Sequence, residues 1–398
     1  WLLAAGTFGV VVFGVSHVDH PVRFWFTLLM AVFMSLWTTF FLDAWQAKQA
    51  TAKMEWGMNG FEELERERPG FQGITIHSPV DGMPVKYFAP AEKRRRMCQS
   101  YFQIVLCMLY VTTINAGVFW AYAYISRYPY QSELAFSFFP KYYNLPLILT
   151  HLLLALVIQV TNAYFMPFAT YLNTVENHRT DTEYEDNLIA KVFFFQFANS
   201  YGSLFYITLL QGPLPEALSF REPWRTRRFT CKPYCFDDAG ALLATIFLVR
   251  VIVNNALEVL VPYFRLKKRQ DKHLQSDEDT ARHKKHDTDE YDDPFDEATM
   301  RKRQVSPAEE QFEKDDYDSI SLFNDYAELV IQYGYATLFV SAFPLAPMFA
   351  CANNIIEIRV DGWKLTQNTR RPWPSGAEDI GTWEDVLQMM GVIATMSN

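Results

Sequence analysis

Four carboxylates bracket one long apolar run. In DYAELVIQYGYATLFVSAFPLAPMFACANNIIEIRVD, Asp325 and Glu328 open the stretch, and Glu357 and Asp361 close it. On helices the first pair is spaced i,i+3 and the second i,i+4, so each pair projects from one face. The run is long enough for two membrane-crossing helices of ~20 residues each. Pro344 and Pro347 mark the break between them, and the two acidic ends then lie at the same membrane face. A carboxylate within a membrane segment costs ~2.5–3.5 kcal/mol on insertion scales, so the four need a partner. The few bases nearby cannot neutralise them all, and a hard cation is the partner such oxygens suit.

An upstream apolar segment adds to the set. VNNALEVLVPYF carries Asn254 and Glu258 one helical turn apart, near the same membrane face. Together Asn254, Glu258, Asp325, Glu328, Glu357 and Asp361 make an oxygen cage of the kind Ca²⁺ takes, whereas Mg²⁺ more often keeps its waters. The five carboxylates carry −5, so one Ca²⁺ leaves −3 and two leave −1. At an effective dielectric of ~20, close charges still interact by several kcal/mol, which favours two ions. The alternative is that each acid marks a helix end or pairs with Arg359 or Lys364. That suits any single acid better than it suits the set.

A second pattern is a polar stripe. Gln196, Asn199, Ser200 and Ser203 fall at i, i+3, i+4 and i+7 among Phe193, Phe194, Phe197 and Leu204. Such a stripe faces protein or water rather than lipid tails, either as a pathway lining or as a packing seam of small polar residues. Lys191 on the same segment and Asn162 on the preceding one join the pathway-lining set. Around Asn162, Thr150, His151, Gln159 and Thr161 spread over half a helix, and His151 reads as a buried hydrogen-bonded residue.

The elements that must position these groups are apolar windows of ~20 residues, which define the class. The chain has 398 residues, 50% hydrophobic and 16% aromatic. Its mean hydropathy is near zero only because long apolar runs alternate with very polar ones. The pattern predicts an all-α polytopic membrane protein, a bundle of about eight transmembrane helices. Residues 1–46 hold a partial first span and a second span from about Phe24 to Trp45, and 47–100 a cytosolic loop. The third to fifth spans fall in 101–210, an extracellular loop in 211–240 and the sixth span in 241–264. A charged, disordered cytosolic loop follows at 265–317, the seventh and eighth spans at 318–364, and at 365–398 a cytosolic connection toward a ninth helix. The cluster Lys93, Arg94, Arg95 and Arg96 marks the cytosolic side. Trp1 stands inside an apolar run without an initiator Met, which reads as a span entered part-way rather than a signal peptide.

A net charge of −9 offers no basic field for nucleic acid. Of five cysteines, Cys231 and Cys235 are close enough for a short disulfide in an extracellular loop. Enzyme signatures are absent: there is no phosphate loop, no HExxH helix and no Ser/His/Asp grouping.

In NNALE, in the 325–361 stretch, in RRPWPSGAEDIGTW, in YEDNLIAKVFFFQFANSYGSLFYI and in FFLDAWQAK, the chain resembles the anoctamin family of Ca²⁺-activated membrane proteins. The resemblance implies that the six oxygen positions bind Ca²⁺ and that a transport pathway runs beside them, formed by the third to seventh helices. It also implies a homodimer, with membrane lipids and inorganic ions as partners, an amino-terminal cytosolic domain, and last spans holding the dimer contact. Members divide into chloride channels, phospholipid scramblases that also leak ions, and membrane tethers. Chloride-selective members resemble one another in a basic residue where this chain has Gln196, which favours a scramblase with non-selective conduction. Chloride channel without scrambling is the alternative, and a non-transporting tether a further one. Many members also resemble each other in a glycine hinge two turns before the Asn, where this chain reads FLVRVIV, with Leu248 and Arg250. That leaves the bend of the sixth helix open, and Arg250 could itself line the pathway.

Overall fold

The computed structural model describes residues 1–15, 20–79, 82–125, 145–210, 236–269 and 307–398. Both CKPYC cysteines, most of the 211–240 loop and most of the charged 265–317 tract lie outside these residues. The described chain is built of helices: α1 (Leu2–Val15), α2 (His20–Glu55), α3 (Pro90–Ile125), α4 (Leu145–Val175), α5 (Asp181–Phe205), α6 (Phe236–Arg269), α7 (Ser319–Leu338), α8 (Ala346–Trp363) and α9 (Trp383–Ser397). Four stretches, Phe24–Glu55, Pro90–Ala121, Leu149–Val175 and Phe236–Arg269, are long and apolar enough to cross a membrane. The polar stripe and the acids lower the mean hydropathy of α5, α7 and α8.

Several helices overrun the apolar windows that announce them. α3 begins at Pro90, eleven residues before Tyr101. Proline suits a first helical turn, and Glu92 pairs with Arg95 and Arg96 at i+3 and i+4. The charges that read as loop therefore propagate helix. Between α2 and α3 lies an antiparallel hairpin, β1 (Ile74–His77) with β2 (Pro84–Tyr87), pairing Ile74 with Tyr87 and His77 with Pro84. The junction of α4 and α5 is capped on both sides. Asn177 takes a left-handed conformation (φ 62°) just beyond α4, and the Thr180 hydroxyl accepts from Glu183 N at the start of α5.

Two compact units divide the described chain. The first comprises Trp1–Leu248, Tyr326–Cys351 and Gly376–Asn398. In it α3, α4 and α5 pack against one another, and α1 lies on α2 around Ala5, Val12, Met30, Met34, Trp37 and Val340. Tyr201 on α5 donates its hydroxyl to Ile331 O (2.8 Å), and Tyr335 on α7 returns one to Ser200 O (3.2 Å). Gly334 is required at this crossing, because a Cβ there would stand 2.0 Å from the Tyr201 oxygen. α9 runs beside α7, with Trp383 stacked on Tyr326 at one end and Ser397 Oγ bonded to Leu338 O at the other. Fifteen residues of the expected 365–398 connection, Trp383–Ser397, are thus already helix. The outward faces of α2, α3 and α4 expose Phe24, Leu28, Val32, Phe102, Leu106, Leu149 and Leu153, among others. Such continuous apolar faces are stable against lipid rather than water.

The second unit comprises Val249–Asp325 and Ala352–Ser375. Arg269, ending α6, donates to Glu313 O (2.8 Å) and Asp315 Oδ1 (2.6 Å). Arg370 N donates to Asp315 O (2.8 Å), and the Arg370 guanidinium pairs with Asp316 at 2.9 Å. The chain entering α7 and the chain leaving α8 are thereby tied together.

Candidate metal centre

α6 changes pitch where it approaches the acids. Arg250–Asn254 is a π turn, followed by ordinary helix that carries Glu258 one turn on. Single π turns recur at functional positions, and this one occupies the region where the absent glycine left the bend open. Arg250 is buried at its start. Asn255 Nδ2 donates to Asn353 Oδ1 on α8 (2.9 Å), tying the two helices at this level. Asn254 is half-buried, and its side chain makes no hydrogen bond among the described residues.

The second unit gathers four of the five predicted carboxylates. Oxygens of Glu258, Asp325 and Asp361 all lie within 4.8 Å of one another, and an oxygen of Glu357 is equally close to one of Glu258. Glu357 is the most buried, at 7% exposure. Glu328 belongs to the first unit, one turn beyond Asp325 on α7. Two oxygens on one Ca²⁺ stand at most about 4.6–5.2 Å apart, twice the usual bond length. The spacing therefore fits a shared hard cation, and so does the donor set, which is all oxygen. Asp361 Oδ1 is shielded from solvent, with the Lys364 ammonium 3.0 Å away as its ion-pair partner.

Lys364 stands among these acids. Its ammonium lies 2.6 Å from Glu258, 2.8 Å from Asp325 and 3.0 Å from Asp361. The Tyr317 hydroxyl donates to the other Asp325 oxygen at 2.6 Å. Arg359, the other base considered as a partner, bonds the carbonyl of Ile355 on its own helix. Glu258, Asp325, Glu357 and Asp361 carry −4, and Lys364 leaves −3.

The α5 stripe faces protein. Asn199, Ser200 and Ser203 are buried, and Asn199 Nδ2 donates to Asn162 Oδ1 (2.7 Å), Thr161 Oγ1 (2.9 Å) and Ile158 O (3.2 Å) of α4. Oxygens of Gln196, Asn199, Ser200 and Ser203 are shielded and find no hydrogen-bond donor among the described residues. His151 is buried on α4. Lys191 is fully buried and paired with Glu176 at 2.8 Å, with Asn173 Oδ1 at 3.0 Å and Asn187 O at 3.2 Å.

Sequence reasoning missed the group around Glu176. Its carboxylate also takes His178 Nε2 at 2.9 Å, and Glu183 contacts His178 Nδ1 and Lys93. Burial alone would raise the Glu176 carboxyl, but the bonds from His178 and Lys191 outweigh it and hold it below the usual range. Burial alone would lower His178, and its two glutamates raise it instead. The His178 imidazole, 3.7 Å away, and the Lys93 ammonium hold Glu183 well below its ordinary value.

The family model described as "Anoctamin: Calcium-activated chloride channel" matches residues 1–398, the whole chain. The chain belongs to the anoctamin family. It is 31% identical over 395 residues to human Anoctamin-5, covering 94% of this chain and 40% of that protein. Mouse Anoctamin-4 is 30% identical over 392 residues (94% and 38%), and mouse Anoctamin-7 is 31% identical over 380 residues (94% and 41%). The chain spans about two fifths of the length of these curated relatives. As an anoctamin sequence it is that of a multi-pass integral membrane protein with an all-α fold, from a family of channels and scramblases rather than enzymes.

Proposed function

We propose that this chain is the Ca²⁺-gated core of a passive phospholipid scramblase that also conducts ions. The observation that carries this reading is the cluster of Glu258, Asp325, Glu357 and Asp361, whose oxygens are close enough to share a cation. With Asn254 and Glu328 they are the ligands we assign, and charge balance over five carboxylates favours two ions. Bound Ca²⁺ would supply the positive charge that offsets their repulsion. Without that charge the acids push apart on the half of α6 that carries Glu258, and the π turn at Arg250–Asn254 is the place where the helix yields. This is a two-state element biased by a ligand. Headgroups move along a hydrophilic groove for which we assign Gln196, Asn199, Ser200, Ser203, Lys191 and Asn162, while tails stay in lipid. A homodimer is part of the proposal, by resemblance.

Weak ion selectivity is supported by two features of α5. Gln196 is neutral, and Lys191, the helix's single base, is neutralised by Glu176. A second reading, a chloride channel without scrambling, is favoured by the family's own description. The test follows fluorescent-lipid translocation and ion flux in one liposome preparation of the full-length protein, with and without Ca²⁺. Both activities appearing with Ca²⁺ is the expected result. Ion flux without lipid movement would establish the channel, and neither activity in folded protein would leave the tether.

A further inference from the structure

The feature that the calcium-site reading does not absorb is Lys364. Its ammonium has three N–H donors, and three carboxylate oxygens from three segments stand around it at 2.6, 2.8 and 3.0 Å. Those contacts are only slightly longer than Ca²⁺–oxygen bonds of about 2.3–2.6 Å. An ion bound by the same oxygens would need the space that Nζ fills, and two cations cannot share it. The side chain is 13% exposed, less than any of the three acids it touches.

We propose that Lys364 is a tethered counter-cation, seated among Glu258, Asp325 and Asp361, which Ca²⁺ must expel to occupy that part of the site. The lysine thereby sets the Ca²⁺ concentration at which the site fills. The inference rests on the calcium-site reading above.

The local backbone suits such an exchange. Lys364 opens a π turn, Lys364–Asn368, at the end of α8. Its carbonyl is fixed by Thr369 N (3.0 Å) and Thr369 Oγ1 (3.2 Å), so the main chain holds while the flexible four-carbon stem swings. Exchange of the ammonium for one Ca²⁺ takes the four acids from −3 to −2, so the lysine offsets only part of the repulsion that the ion relieves. A lysine that merely paired at the rim would stay in place as Ca²⁺ bound.

The experiment uses the full-length protein in detergent at fixed pH. Ca²⁺ affinity is measured by calorimetry for wild type, Lys364→Met and Lys364→Arg. Separately, the Lys364 amine of the wild type is footprinted by reductive dimethylation and mass spectrometry, in EGTA and in saturating Ca²⁺. The expected results are at least about fivefold tighter Ca²⁺ binding in Lys364→Met, on the scale of ordinary ligand coupling. Weaker binding is expected in Lys364→Arg, whose planar fork holds carboxylates more firmly. The footprint at Lys364 should rise with Ca²⁺. Because the footprint needs no variant, it decides the matter even where Lys364→Met fails to fold. A footprint that Ca²⁺ leaves unchanged, or a folded Lys364→Met with wild-type affinity, overturns the inference while Ca²⁺ binding by the wild type leaves the site reading standing. No Ca²⁺ binding by any folded form overturns both.

Discussion

Removing the Glu176 carboxylate by Glu176→Gln should destabilise the protein strongly, because Lys191 is fully buried and Glu176 is its one anionic partner among the described residues. In the variant the ammonium keeps only neutral oxygens, from Asn173 (3.0 Å) and Asn187 (3.2 Å). Breaking a buried pair from one side typically costs ~3–5 kcal/mol. At about 2 °C per kcal/mol for a large chain, this lowers Tm by roughly 6–10 °C. Lys191→Met should cost less, since Glu176 retains His178 at 2.9 Å. The double variant should lie within about 1–2 kcal/mol of wild type, because it removes both charges together. Tryptophan fluorescence during thermal unfolding in detergent gives the four values of the cycle. Simple addition of the two single losses, or a Glu176→Gln variant as stable as wild type, would refute the argument.

Two other predictions concern the same unit. The Glu183 carboxyl is held low, so its stabilisation is present above about pH 4.5 and is lost as pH falls through its folded value; His178 is raised, so its contribution is complete below pH 6.5 and is lost as pH rises through its folded value. Thermal stability should therefore decline on both sides of a mildly acidic maximum, and His178→Gln should flatten the alkaline side. A profile unchanged by that substitution would contradict the assignment. Gly334→Ala should lower Tm markedly, since its Cβ would stand 2.0 Å from the Tyr201 hydroxyl and the bond to Ile331 O would have to give. Recovery of Tm in Gly334→Ala/Tyr201→Phe would confirm the contact, and no loss in Gly334→Ala would dismiss it.

What the residues themselves reveal depends on how local the cause is. The spacing of Asp325 with Glu328 and of Glu357 with Asp361 is a helical period, and a carboxylate in an apolar segment is conspicuous, so the acids are readable without coordinates. The π turn at Arg250–Asn254 is not, because RVIVN contains neither glycine nor proline and the change lies in which carbonyl each amide chooses. The hairpin at Ile74–Tyr87 left a signal, in the alternation of ITIH and PVKY around Gly82 (φ 70°), that was available and unused. Glu176 and His178 look like solvated loop residues in ENHRT, and only packing around the junction of α4 and α5 takes them out of water. Lys364 was visible as a neighbour of the acids, but its reach to Glu258 and Asp325, 106 and 39 residues away in sequence, was not.

The most direct test of calcium gating at these acids is the Ca²⁺ dependence of lipid and ion flux in liposomes for Glu258→Gln against wild type. Glu258 is the acid within 4.8 Å of oxygens from Asp325, Asp361 and Glu357 alike, so its neutralisation removes one ligand charge from the centre of the cluster. The account predicts that half-maximal activation moves to Ca²⁺ concentrations higher by about tenfold or more, the equivalent of ~1.4 kcal/mol. Half-maximal activation at the wild-type Ca²⁺ concentration, in protein that folds and transports, would contradict it.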